Sequence, residues 1–117
     1  MDLYTYKAKC VRVIDGDTIV CNIDMGFYTQ LNEQTIRLAR INTPELPSAE
    51  GYRAKARLQN LIEEKEIVIK TEKNKSKTNG FNIFSGKDKY GRWLGEIFYE
   101  TQNINDLLVK ENLGTYI

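Results

Sequence analysis

The strongest constraint on the fold lies in residues 4 to 25. Two stretches of β-forming side chains, YTYKAKCVRVI and TIVCNIDM, are separated only by Asp15-Gly16-Asp17. The first alternates loosely between apolar and basic residues, as a half-buried strand does, and Asp-Gly is a hairpin turn signal. In the second, Ile19, Cys21 and Ile23 fall on one face and Val20 and Asn22 on the other. After a polar, glycine-containing stretch from about Met25 to Gln34, TIRLARI supplies a third strand, in which Ile36, Leu38 and Arg40 alternate with Arg37, Ala39 and Ile41. Three consecutive antiparallel strands make a meander.

Pro44 and Pro47 end strand pairing, because neither can donate a backbone hydrogen bond. Beyond them Ala54, Leu58, Leu61 and Ile62 recur at helical spacing on a charged segment running to about Lys65. EIVIKTE and RWLGEIFYE read as a fourth and a fifth strand. A last helix is predicted from about Ile104 to Glu111, with Asn112 placed to stop it. The order βββ, α, ββ, α predicts an α+β, mainly β fold: a five-stranded Greek-key barrel of the OB type, with a helix after strand 3 and a C-terminal helix.

With 117 residues and 13.5 kDa, residues 1–117 are expected to form a single domain around one core. No apolar run reaches the roughly 18 residues of a membrane span, and MDLYTYKAKCV lacks the apolar centre of a secretion signal, so a cytoplasmic location without membrane association is expected. Cys10 and Cys21 straddle the first turn and could face each other across a hairpin. Reduced, partly buried thiols are the expectation for a chain without an export signal. There is no histidine, which excludes Ser-His-Asp and Cys-His catalysis and every zinc site with histidine ligands. Hydrolytic chemistry here has to run on carboxylates and arginines, with or without an oxygen-loving metal.

The net charge is only +1, but it is unevenly spread. Residues 70 to 92 hold seven Lys or Arg against Glu72 and Asp88, which leaves the rest of the chain negative and gives the molecule one face attractive to a polyanion. Within that segment Lys73, Lys75, Lys77, Phe81, Phe84 and Lys87 mix cations with aromatics, a composition suited to following a nucleic-acid strand by phosphate contact and base stacking, or simply to a hairpin tip.

Four polar clusters fall at strand boundaries: Asp15-Gly16-Asp17-Thr18, Arg37, Asn42-Thr43-Pro44-Glu45 and Lys89-Tyr90-Gly91-Arg92. In a barrel, strand ends can converge on one mouth. Two carboxylates at a tight turn offer the hard oxygens that Ca²⁺ or Mg²⁺ takes, and an oxygen from residues 42 to 43 could complete the set. Two arginines could grip a phosphodiester by bidentate bonds that strengthen as charge builds on phosphorus. Glu45 is then free to orient or deprotonate a water. Each piece also has a plainer reading: a solvated turn, a structural arginine, a helix entry at Thr-Pro-Glu, a β-turn at Lys-Tyr-Gly-Arg.

IDGDTI, IRLARINTPE, GYRAKARLQNLI, DKYGRWLGEI and INDLLVKENLG resemble, in order and over residues 8 to 114, the signature segments of the staphylococcal nuclease family. The resemblance implies an OB barrel and a Ca²⁺-dependent nuclease that hydrolyses DNA and RNA at the 5′ side of the phosphate, leaving 3′-phosphates. Single-stranded nucleic acid is the expected partner, and a monomer is expected because a five-stranded barrel of this size can be stable alone. By that resemblance Asp17 is a carboxylate metal ligand, Thr43 a ligand through its backbone carbonyl, and Asp15 an outer-shell acid. Arg37 and Arg92 correspond to the phosphate-gripping arginines, Glu45 to the proposed general base, and Lys89 and Tyr90 to contacts with a terminal phosphate.

The chain departs from the family pattern in three places. Asn42 stands where the best-known members carry a second metal-binding aspartate. The connections between Asp17 and Arg37 and between the fourth and fifth strands are longer. The sequence ends at Ile117, before the family's last helix and a base-covering aromatic. An asparagine oxygen is still a legitimate Ca²⁺ ligand without formal charge, so the expectation is an active enzyme with a higher Ca²⁺ requirement and greater tolerance of Mg²⁺ or Mn²⁺. The alternative is a catalytically inactive OB-fold module that binds nucleic acid or protein. Retention of Asp17, Arg37, Glu45 and Arg92 together favours the enzyme.

Overall fold

In the computed structural model, which describes residues 3–72 and 93–117, strand β1 (Leu3–Asp15) is long enough to pair twice. Its first half runs antiparallel to β5 (Glu66–Glu72), from Leu3 opposite Glu72 to Lys9 opposite Glu66. Its second half pairs with β2 (Thr18–Gly26), from Ala8 opposite Ile23 to Asp15 opposite Thr18. Register irregularities between Cys10 and Arg12 and between Val13 and Asp15 bend the strand, which lets one strand serve both sides of a barrel. The Val13 N–H donates instead to Glu63 Oε2 at 3.1 Å.

Strand β3 (Thr29–Leu38) follows β2 in a hairpin. Closure comes from β6 (Trp93–Tyr99), antiparallel to β5 and parallel to β3, with Ile36 opposite Trp93 and Leu38 opposite Gly95. A Cβ on Gly95 would stand 2.9 Å from Ile69 Cγ2, so only glycine lets these strands meet across the packed interior. The five-stranded Greek-key barrel of the OB type therefore forms as expected, with helix α1 (Ala49–Ile62) after its third strand and helix α2 (Ile104–Lys110) after its fifth. Short strands β4 (Ile41–Asn42), β7 (Gln102–Asn103) and β8 (Thr115–Tyr116) complete the chain.

The core combines Ile19, Cys21, Ile36, Leu38, Ile69 and Ile97 from the strands with Leu58, Ile62, Ile104 and Leu108 from the helices. Helix α1 covers one end of the barrel with Gly51, Ala54, Leu58 and Ile62, one residue per turn, as an apolar stripe requires. Ser48 caps it by accepting from the Gly51 N–H at 2.9 Å. Cys10 and Cys21 are opposed across the hairpin, fully buried and free. No described helix is long and apolar enough to cross a membrane.

Three boundaries differ from expectation. Residues 25 to 34 are not a connection; they form the outer half of the β2–β3 ribbon, which turns at Phe27 and Tyr28 with φ of 56° and 62°. Strand β3 stops at Leu38, because Arg40 adopts φ 71° and reverses the alternation. Ile41 is consequently buried, while the exposed Arg40 forks onto Glu96 and donates to Asp106 at 2.9 Å. Helix α1 ends at Ile62 rather than near Lys65: Glu63 is extended, and the Glu64 N–H turns back to the Cys10 carbonyl at 2.7 Å. At the other end of the chain, Asn112, at φ 64°, follows α2 as expected.

Candidate active site

One end of the barrel gathers what the sequence disperses. A cleft of about 550 Å³ is lined by Asp15, Asp17, Arg37, Asn42, Thr43 and Glu45, together with Pro44 and Leu46. The β1–β2 turn supplies the two aspartates, the last turn of β3 supplies Arg37, and the segment from β4 to α1 supplies the rest. Lys89, Tyr90 and Arg92, and the 73 to 87 loop, lie outside the described residues.

Asp17 is the buried anchor. Its Oδ1 accepts from the Thr18 hydroxyl at 3.2 Å and its Oδ2 from the Thr43 N–H at 3.1 Å. Arg37 Nη1 approaches the same Oδ2 at 3.5 Å, with both side chains largely covered. Asp15 Oδ1 accepts the Asp17 N–H at 3.1 Å, which closes the Asp-Gly-Asp turn. Burial, and then the adjacent Asp17 carboxylate, push the Asp15 carboxyl above the ordinary range. Two carboxylates held this close favour a cation between or beside them.

Arg37 is committed on one side and open on the other. Its Nη1 donates to the carbonyls of Leu38 at 2.7 Å and Ile41 at 3.0 Å, and its Nη2 donates to Asn42 Oδ1 at 2.9 Å. These bonds fix the turn that follows β3. A guanidinium has five N–H donors, so the Nε–H and one Nη2–H are left without partners among the described residues, the pair from which a fork onto a phosphate is made. The structural reading of Arg37 and the phosphate-binding one are therefore compatible.

The 42–45 segment is gripped from three sides by residues without side chains, which the sequence reading did not single out. A Cβ on Gly16 would lie 2.7 Å from Thr43 Oγ1, one on Gly51 would lie 2.7 Å from the Glu45 carbonyl oxygen, and one on Gly114 would lie 3.0 Å from that of Asn42. The segment is also paired, Ile41 with Tyr116 and Asn42 with Thr115, and the Ile117 N–H donates to the Arg40 carbonyl at 2.9 Å. Each glycine falls inside one of the segments by which the family resemblance was read. Glu45 itself projects from this fixed backbone into solvent at the cleft, its carbonyl held by Ser48 Oγ at 2.8 Å.

Among the described residues no group of three or more acidic, cysteine or histidine side chains clusters as a metal site would. A cation here would rest on the Asp15 and Asp17 carboxylates with neutral oxygens from Asn42 and Thr43. Thr43 Oγ1, buried without a hydrogen-bond partner among the described residues, marks an unsatisfied oxygen beside them. This all-oxygen set fits a hard divalent cation, and its low charge fits weak binding.

The comparisons agree with the geometry. The family model described as staphylococcal nuclease homologue matches residues 35–117. The chain is 34% identical over 120 residues to a protein of Shigella flexneri named micrococcal nuclease, covering 93% of this chain and 57% of that one. It is 31% identical over 107 residues to a protein of Haemophilus influenzae named as an uncharacterized endonuclease, covering 91% of this chain and 49% of that one. The chain thus spans about half the length of the curated relatives it matches. The OB barrel, the conjunction at its mouth and these matches establish that the chain belongs to the staphylococcal nuclease family.

Proposed function

We propose that the chain is a nuclease that hydrolyses phosphodiester bonds of DNA and RNA with the help of a weakly held divalent cation, Ca²⁺ first and Mg²⁺ or Mn²⁺ second. The observation that carries the reading is the single cleft in which Asp15, Asp17, Arg37, Asn42, Thr43 and Glu45 meet. The family match and the names of the relatives support the same class of chemistry.

Asp17, Asn42 and Thr43 would hold the cation, with Asp15 adding negative charge behind them. Bound there, the cation supplies Lewis-acid stabilisation of charge on the phosphate. Arg37 binds and orients the scissile phosphate through its free Nε–H and Nη2–H, and these bonds strengthen as the phosphorus gains a fifth oxygen. Arg92 is assigned the same work on the family resemblance alone, and Lys89 and Tyr90 are assigned contacts with a terminal phosphate on the same ground. Glu45, its side chain exposed on a backbone held by Ser48 and Gly51, takes a proton from the attacking water. The water oxygen bonds to phosphorus as the P–O5′ bond breaks; the 5′ oxygen takes a proton from solvent water, Glu45 returns its own proton to solvent, and the products are a 3′-phosphate and a 5′-hydroxyl.

Cleavage of single-stranded DNA across Ca²⁺, Mg²⁺ and Mn²⁺ titrations, with chelator and Glu45→Gln controls, tests the proposal. Metal-dependent cleavage that Glu45→Gln reduces by orders of magnitude without weakening binding is the expected result. Binding without cleavage under every cation would make the chain a binding module instead.

A further inference from the structure

A second groove, of about 340 Å³, adjoins the cleft and shares the 42–44 segment with it as a common wall. Its far side is built from α1 and the turn after α2, and it presents Arg53, Asn112 and Thr115. Arg53 is exposed and has no hydrogen bond or ion pair among the described residues. Its neighbours on the same helix sharpen the point. Arg57, one turn on, is forked onto Glu111 at 2.8 and 3.0 Å and ties α1 to the end of α2. Glu50, three residues back and on the same groove, makes no ion pair with Arg53. One arginine of this face is consumed by the fold, and the other is left beside the site with its full donor set.

From this arrangement we infer that the groove is a subsite for the nucleotide next to the scissile bond, with Arg53 binding that nucleotide's phosphodiester. The inference rests on the nuclease reading and deepens it. A strand crossing the 42–44 ridge passes from Asp17 and Arg37 on one side to Arg53 on the other. Both hollows are walled by the same fixed segment. Asn112 and Thr115, exposed on the groove, supply an amide and a hydroxyl suited to sugar and base edges. Glu50 sets the limit of the subsite: its carboxylate repels a phosphate and confines it to the Arg53 end.

The test compares cleavage of a dinucleotide, which holds only the scissile phosphodiester, with cleavage of a single-stranded octanucleotide. Arg53→Ala should raise KM for the octanucleotide on the order of fivefold, the scale of one exposed ionic contact, and leave the dinucleotide unchanged. Glu50→Gln should lower KM for the octanucleotide only. The salt dependence of octanucleotide binding by Arg53→Ala should flatten by about 0.7 in log–log slope, the share of one phosphate on a single strand. Unaltered melting temperatures would show that both variants fold. An Arg53→Ala enzyme that matches the parent on the octanucleotide, or that loses equally on both substrates, overturns the subsite while leaving the nuclease intact. A parent chain that neither cleaves nor binds either substrate overturns the nuclease reading, and the subsite with it.

Discussion

Arg37 donates from Nη2 to Asn42 Oδ1 at 2.9 Å, so the oxygen that would complete a cation site is already engaged by the residue assigned to the phosphate. In this arrangement cation and arginine compete for Asn42. The competition is mild, because a neutral amide oxygen keeps a second lone pair.

Asn42→Asp changes its terms. The added charge strengthens the ion pair with Arg37 but strengthens a divalent cation's attraction more, since Asp15, Asp17 and residue 42 would then all be anionic. Ca²⁺ affinity, read from the midpoint of activation or from the rise of melting temperature with Ca²⁺, should increase on the order of tenfold, about 1.4 kcal/mol. An unchanged midpoint would show that residue 42 does not meet the cation.

Asp15 should make the cation-free protein sensitive to pH in an unusual direction. Its folded-state carboxyl is raised by burial and by Asp17, so between the ordinary value and the raised one the folded chain holds a proton that the unfolded chain has released. Stability from this group is greatest below the ordinary value and falls as pH rises through the raised one. Asp15→Asn keeps an acceptor for the Asp17 N–H and removes the penalty. The variant should melt higher than the parent at neutral pH without cation, and the gap should close as pH falls below the ordinary carboxylate range. Saturating Ca²⁺ should narrow the gap at neutral pH, because the parent gains more from the cation. A gap that does not vary with pH would contradict this.

Gly51 lies inside α1, where alanine is worth about 1 kcal/mol more than glycine in helix propensity. The added methyl would nevertheless stand 2.7 Å from the Glu45 carbonyl oxygen and 3.0 Å from that of Pro44. Neither is the end of a flexible side chain, so the backbone of the 42–45 segment has to move. Gly51→Ala should therefore destabilise by about 1–3 kcal/mol despite its better propensity, and kcat should fall further than a loss of folded protein explains. Denaturant unfolding alongside activity per folded molecule measures both.

Sequence patterning captured the barrel because burial follows period: Ile19, Ile36 and Leu38 mark strand interiors, and Leu58 and Leu108 mark helix faces. It failed where the determinant is a contact between distant segments. Gly26 signals a turn, but nothing in Phe27 and Tyr28 themselves announces positive φ or places them at the tip of a long ribbon, and Arg40 gives no sign that β3 breaks before Ile41. The residues lining the cleft were legible as clusters at strand ends. What holds them was not, because Gly16, Gly51 and Gly114 act through the absence of a side chain against backbone far away in sequence.

Asn105 is the clearest residue of that kind. Placed in the first turn of α2 among Ile104, Leu107 and Leu108, it reads as the polar side of an amphipathic helix, yet it is fully buried. Its Oδ1 accepts from the Ile97 N–H at 3.0 Å, and its Nδ2 donates to the carbonyls of Ala39 at 2.8 Å and Gly95 at 3.1 Å. One side chain thus joins β6 to the end of β3 just before the turn that delivers Asn42 and Thr43. The Gly95 carbonyl keeps a second partner in the Ala39 N–H, but the Ile97 N–H and the Ala39 carbonyl lose theirs when residue 105 cannot bond. Asn105→Leu, close in volume, leaves both buried and unpaired and should cost about 2–6 kcal/mol at ~1–3 kcal/mol per orphaned group. Asn105→Asp keeps the acceptor but sets a buried carboxylate against two carbonyls, so it should be no milder at neutral pH and should recover as the pH falls. Urea midpoints of the two variants at neutral and acidic pH decide the matter. Equal losses at both pH values for Asn105→Asp would mean that the site is held by shape rather than by these three bonds.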